Sequence, residues 1–337
     1  MILTETSWAG VGLAGNPSDG CFGKAVAVPA ANYSVSVTLY ESPEINFTPT
    51  AQDHDTFDAL ADLSEDVERY GYYGGIRLLK AAAKAFFEFC EEAAIALADR
   101  KFTARYESCI PRRVGLAESS AVVTATLRAL VRFYEAPVDP VLLPVLAWRT
   151  ERAELGIPCG LMDRVVQTYG RPVHMDLDEG AIERDGHGRY DPIAAERIPP
   201  LLLALPEHPS RAGQSDYHRA LGVRLHEEDS ELPARMREFA GFADEARDAL
   251  VAGDMPRLGA VMNRNFDLRR QLFPIPETEA NAVAACRDAG FAAKLAGGSG
   301  TLVALPSENA ETERLAAAVA DCGYTLKPLI LPEARES

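Results

Sequence analysis

Between residues 122 and 134 the chain places apolar side chains at Val122, Val123, Leu127, Leu130, Val131 and Tyr134, a spacing that gathers most of them on one face of a helix. The preceding run, IPRRVGLAE, is punctuated by Pro111 and Gly115, so a turn feeds a helix whose first residues are Ser119 and Ser120. A second stripe, Ile76, Leu79, Ala83, Phe86, Phe87, Cys90 and Ala94, predicts a helix over 76–97. Ahead of it an acidic amphipathic helix is expected over 57–70, broken by GYYGG at 71–75. Short apolar or alternating runs predict strands at 8–14, 24–29, 33–40, 102–110 and 173–177, with GNPSDG at 15–20 as the first turn. Helices are expected at 140–155 and 161–169, and RDGHGRYDP at 184–192 reads as a turn-rich excursion.

The later part predicts a strand at 198–205, helices at 233–253, 255–273 and 277–290, and then strand (291–295), glycine turn (297–300), strand (302–305), helix (311–322) and strand (324–331). Strands interrupted by long helices, without a regular βαβ series, indicate an α+β fold with mixed or antiparallel sheets and packed helices. The 337 residues suffice for two lobes, expected at 1–195 and 196–337.

Composition narrows the function classes. Apolar residues at 47% and charged residues at 25% are those of a soluble globular chain, and no apolar run nears the roughly 20 residues that span a bilayer. MILTETSWAG has neither a basic n-region nor an apolar h-region, so a cytoplasmic location without a membrane partner is expected. A net charge of −16 disfavours nucleic acid as a partner. The six cysteines form no C-x-x-C pair and the six histidines no H-E-x-x-H, which argues against a zinc site and a disulfide scaffold.

The loop–helix junction has two readings. It is an ordinary capped core helix, or an anion site, because the first helical N–H groups lack partners and the macrodipole adds roughly half a positive charge there. Ser119 or Ser120 then caps the helix or holds magnesium. Asp19 and Lys24, flanking the first turn, read alone as solvated charges, and Tyr72 and Tyr73 in a glycine-flanked bend are core residues or face a sugar ring.

Pro111, Gly115, Leu116, Ser119 and Ala121 resemble the phosphate-loop signature P-x-x-x-G-L-x-S-S-A-A of the GHMP kinases, ATP-dependent kinases of small molecules. Glu118 stands where that family places serine or glycine. GLAGNPSDGCFGK, ERYGYYGGIRLLK, the phosphate-loop run, AELGIPCGLMDRVVQTYG, GHGRYDP, MNRNFDLRR and AAKLAGGSGTLVAL are similar, in order and spacing, to the glucuronokinase branch. That resemblance implies a two-lobed fold and transfer of the γ-phosphoryl of ATP, with Mg2+, to the anomeric hydroxyl of the uronic acid D-glucuronate.

The same resemblance implies residue roles. Asp163 in GLMDR would accept or orient the hydroxyl proton, and Lys24 would stabilise the moving phosphoryl or keep Asp163 ionised. Pro111, Gly115, Leu116, Ala117, Glu118, Ser119 and Ser120 would form the nucleotide loop. Ser119 and Glu151 would hold magnesium, with Glu154 the alternative carboxylate. Asp19, Tyr72, Tyr73, Gly297, Gly298 and Ser299 would meet the sugar, although Ala296 replaces the family's threonine in this third motif. A uronate carboxylate calls for an arginine fork, with Arg164, Arg77, Arg269 and Arg270 as candidates. On one helix Asn263, Asp267 and Arg270 share a face and Asn265 and Arg269 share another, so only one set lines a pocket. The alternatives are a GHMP-type kinase of another polar small molecule, or a ligand-binding protein that has lost phosphoryl transfer.

Overall fold

Two long strands, β1 (Ile2–Ala14) and β2 (Lys24–Glu41), pair antiparallel and form the spine of the first sheet. In the computed structural model residues 1–50, 53, 59–61, 74–208, 220–224 and 229–333 are described. Most of the helix expected over 57–70, and both Tyr72 and Tyr73, lie outside them. β2 was expected as two strands. Its register with β1 slips where Trp8 pairs with Ser34 and the next residue, Ala9, with Ala30, so residues 31–33 bulge without ending the strand. On its other edge β2 pairs through residues 24–27 with β5 (Val173–Asp176) and through residues 35–41 with β4 (Phe102–Ser108). β3 (Asn46–Phe47) adds to β4 and β6 (Arg189–Pro192) to β5.

Val11, Leu13, Val26, Val28, Val35 and Val37 are fully buried in this sheet, which is covered by α2 (Glu118–Phe133) with α1 (Gly75–Glu92) beside it. Asp53 caps α1, accepting from the Gly75 N–H at 2.5 Å and the Tyr106 hydroxyl at 3.2 Å. The helix expected over 140–155 is divided. Pro140 and Pro144 confine it to a 3-10 turn (Pro140–Leu142) and α3 (Leu143–Arg149), and a π turn (Thr150–Glu154) follows. α4 (Met162–Tyr169) is the next helix. The stretch 184–192 is not all turn: α5 (Glu179–Asp185), capped by Asp178 on the Ala181 N–H, precedes β6. Turn-forming residues at nearly every position conceal that short strand in the sequence.

The second sheet has the order β10-β7-β9-β8, from β7 (Leu202–Pro206), β8 (Phe291–Leu295), β9 (Leu302–Pro306) and β10 (Tyr324–Pro328). With it come α6 (Leu232–Ala252), α7 (Met255–Leu272), α8 (Glu277–Asp288) and α9 (Thr312–Ala320). α6 lies against β1, β2 and β5 of the first sheet. One apolar cluster runs from Val37 and Leu127 through to Phe239 and Val261. At the bulge of β2 the Asn32 side chain donates to the Pro328 carbonyl and accepts from the Ile330 N–H, tying the end of β10 to the first sheet. No described helix is long and apolar enough to cross a membrane.

Candidate active site

α2 begins at Glu118, where Ala117 turns the chain with φ +54°. The Ala121 N–H is bonded to the Ala117 carbonyl at 3.2 Å, so the amides of residues 118–120 precede the helical ladder and point out of the helix end. The Ala117 carbonyl also accepts from the Ser120 hydroxyl and from the Gln167 amide of α4, each at 3.0 Å. Ser120 is therefore spent on the turn itself. The Ser119 hydroxyl instead donates to Glu151 Oε1 at 2.8 Å. Leu116 is buried and Pro111 half-buried. The Glu118 carboxylate, also buried, has its Oε2 3.9 Å from Arg112 Nε of the same loop, so a cation faces the charge that a triphosphate would otherwise oppose.

From Glu151 the contacts continue to α4. Arg164 donates to Glu151 Oε2 through Nε at 2.7 Å and through Nη2, and its Nη1 donates to the Gly160 carbonyl at 3.1 Å. Nη1 also lies 3.7 Å from Asp163 Oδ2. The guanidinium, expected at a sugar carboxylate, is buried and held by a protein carboxylate. Glu154 is drawn outward to Lys84 at 2.8 Å, which leaves Glu151 as the carboxylate beside Ser119. Asp163, in the first turn of α4, packs against β1 where Gly10 has no side chain. A Cβ there would come within 2.5 Å of Asp163 Oδ1. Gly12, two residues on, admits Met162 in the same way.

Asp19 lies beside this group and accepts from the Met162 N–H at 3.3 Å. Burial raises its carboxyl above the usual carboxylate range, against the opposing pull of that N–H and of the Arg164 and Arg269 charges. Arg269 of α7 donates to the Gly297 carbonyl at 2.7 Å and to the Gly298 carbonyl. Asn265, on the same helical face, accepts from the Gly15 N–H and donates to the Asn16 carbonyl, both at 2.8 Å. Arg270, expected at the substrate, is exposed on the other side of α7. Of the two helical faces left open by the sequence, Asn265 faces the first turn and Arg269 the glycine turn, while Asn263 and Asp267 bind Arg287. Arg77 is exposed.

The third motif is packed directly on the phosphate loop. The Thr301 N–H and hydroxyl both donate to the Val114 carbonyl, at 2.8 and 2.7 Å, and Glu279 accepts from the Gly300 N–H at 2.9 Å. Ala296, in the family's threonine position, is buried and bonded through its backbone to Gly12 and Thr301.

Lys24 does not pair with Asp163. It lies 3.0 Å from Asp244 of α6 and 3.3 Å from Asp176 of β5, with 32% of its side chain exposed. His174 also meets Asp244, at 3.0 Å, so these polar contacts tie α6 to the first sheet. Lys24→Met is expected to cost about 0–1 kcal/mol, as part-exposed ion pairs do, and to leave turnover unmoved. Thermal unfolding and a phosphate-transfer assay check this, and a large fall in turnover returns Lys24 to the catalytic group. The buried ammonium of the region is Lys294, which donates to the Leu295 and Gly12 carbonyls and to Asn16 Oδ1 at 2.7–2.8 Å. Burial and the Arg269 charge push it well below the ordinary lysine range.

The sequence reading missed Gln167, Lys294 and Glu279 as parts of this site. Gln167 was signalled by its position four residues after Asp163 on one helix, and Lys294 by opening the third motif. Nothing in the local pattern marks Glu279.

Known proteins share this fold. Residues 77–171 match the GHMP kinases N terminal domain and residues 246–325 the GHMP kinases C terminal. The chain is 35% identical over 334 residues to glucuronokinase 1 of Arabidopsis thaliana, covering 97% of this chain and 91% of that protein. Against probable glucuronokinase 2 of the same plant it is 36% identical over 344 residues, covering 100% and 93%. Lactococcus lactis galactokinase complexed with galactose superposes with a TM-score of 0.73 at 16% identity, covering 98% of this chain and 93% of that one. Streptococcus pneumoniae phosphomevalonate kinase in complex with phosphomevalonate and AMPPNP gives 0.73 at 15% identity, covering 97% and 99%. With its α+β fold and both family regions in order, the chain belongs to the GHMP kinases.

Proposed function

We propose that this protein transfers the γ-phosphoryl group of ATP to the anomeric hydroxyl of a sugar, with D-glucuronate as the acceptor. The observation that carries the reading is the unbroken run of contacts Ser119–Glu151–Arg164–Asp163, from the start of α2 to the start of α4. Phosphoryl transfer requires positioned phosphates, compensation of their charge, and a group that manages the proton of the attacking hydroxyl. The amides at the start of α2 receive the phosphates. As the sugar oxygen bonds to the γ-phosphorus and the bond to the ADP oxygen breaks, Asp163 takes the hydroxyl proton.

Ser119 and Glu151 suit a divalent metal, because a hydroxyl and a carboxylate oxygen stand 2.8 Å apart. Two protein oxygens completed by phosphates and water match magnesium, which when bound neutralises charge on the β- and γ-phosphates. Asp19, Gly297, Gly298 and Ser299 are read as the sugar's surroundings, in a site closed between lobes 1–195 and 196–337. The choice of glucuronate rests on the full-length likeness to the Arabidopsis glucuronokinases.

Calorimetric titration with an ATP analogue and Mg2+, with and without D-glucuronate, followed by an assay for glucuronate 1-phosphate, tests this. Nucleotide binding with turnover is the expected result. Binding with turnover only on another sugar or polar alcohol overturns the acceptor, and absence of nucleotide binding overturns the kinase.

A further inference from the structure

Two carboxylates, Glu151 and Asp163, lie at the buried guanidinium of Arg164. Its hydrogen bonds are unequally shared. Nε and Nη2 both converge on one oxygen of Glu151, Oε2, while Nη1 is anchored to the Gly160 carbonyl at 3.1 Å. The other oxygen, Oε1, is left to the Ser119 hydroxyl. Glu151 itself is fully buried in the π turn, and its carbonyl accepts from the Ile157 N–H at 2.9 Å, so the chain is fixed below the side chain as well. An unrestrained glutamate has three rotatable side-chain bonds and two equivalent oxygens. Here the fork removes both freedoms.

We propose that Arg164 is a positioning residue of the metal site: by gripping Oε2 it turns Glu151 Oε1 toward Ser119, so that the two oxygens are presented together to the divalent cation. This rests on the kinase reading above. In this role Arg164 acts through Glu151, which it contacts directly. Its shape matters as much as its charge, because a planar fork reaches Glu151 and the Gly160 carbonyl at once, whereas an ammonium is a single point of charge. Asp163 is adjacent in sequence and 3.7 Å from Nη1, so the grip also fixes the start of α4 relative to the metal ligands.

Arg164→Lys keeps the charge and removes the fork. Titration of the complex with a non-hydrolysable ATP analogue by Mn2+, followed by electron paramagnetic resonance, is expected to show a 10–100-fold weaker metal affinity in this variant, the usual cost of losing a group that orients a ligand. Affinity for the metal-free nucleotide should not change. A folded variant that binds Mn2+ as the wild type does overturns the proposal. A second measurement needs no variant: the Arg164 Nε–H resonance of the wild-type protein should exchange slowly with solvent and shift when Mg2+ joins the bound nucleotide. A resonance indifferent to Mg2+ also overturns it. Wild-type protein that takes up no metal–nucleotide at all overturns the kinase reading itself, an outcome distinct from unaltered metal binding by the variant.

Discussion

Asp163→Asn is expected to lower turnover by ~10²–10⁴-fold, the range lost with a positioned acid–base group, and to leave affinity for the ATP analogue nearly unchanged. The two effects separate because the residues serve different steps. In the proposed function nucleotide is received by the loop before α2, whose shape is held by Ala117, Ser120 and Gln167, and none of those contacts involves Asp163. Asparagine has the same outline, so it fits the space left by Gly10 against β1. It cannot take a proton from the sugar hydroxyl at neutral pH. A fall in kcat with KM for both substrates held would mean that the interaction lost is one made in the transition state. A variant retaining a tenth or more of wild-type turnover removes Asp163 from the mechanism, and a large rise in KM for ATP with kcat unchanged makes it a structural residue of the nucleotide site. Asp163→Glu is a useful companion. Its extra methylene carries the carboxylate away from the place Asp163 holds beside Gly10, and activity should not be restored.

Much of this was legible in the chain. The junction of loop and α2 could be read because proline and glycine punctuation is followed by a helical period, two local signals that tertiary packing did not override. Glu151 and Glu154 could not be separated by pattern alone. Their directions are set by the π turn, a local change of helical pitch that brings Glu151 to Ser119 and sends Glu154 to Lys84. The two lysines show the same limit. Lys24 and Lys294 each occupy a strand of mostly apolar residues, and only long-range packing decides that the first meets carboxylates at the surface and the second is enclosed with Asn16. The phase of α7 was nearer to being readable. Leu258, Met262, Asn265 and Arg269 continue one buried stripe at helical spacing, which favours Arg269 over Arg270 once the stripe is followed past its last apolar residue. Arg164 was the reverse: an arginine beside the proposed base invites a substrate role, and its actual partner lies 13 residues earlier, beyond any local rule.

Gly115→Ala is expected to destabilise the protein or its nucleotide complex by about 2–5 kcal/mol, the sum of a left-handed backbone cost and an overpacking cost. Gly115 has φ +79°, a conformation that a Cβ disfavours by about 1–2 kcal/mol. The larger part comes from its neighbour. A Cβ on Gly115 would run into the backbone carbonyl oxygen of Ser299, which cannot swing aside as a side chain would. That carbonyl belongs to the glycine turn, and the turn is itself fixed to the phosphate loop by Thr301 on Val114, to α8 by Glu279 on Gly300, and to α7 by Arg269 on Gly297. Relief would therefore require the phosphate loop and the third motif to part, which disturbs the amides at the start of α2 that are proposed to receive the nucleotide. Gly156→Ala provides the control. Gly156 also has positive φ, +64°, but nothing lies within 4 Å of its added Cβ, so that variant pays the backbone cost alone. Thermal unfolding and analogue titration of both variants separate the two contributions: nucleotide affinity should fall in Gly115→Ala and hold in Gly156→Ala. If the two variants behave alike, the contact between phosphate loop and glycine turn is looser than the geometry requires, and the third motif has no part in shaping the nucleotide site.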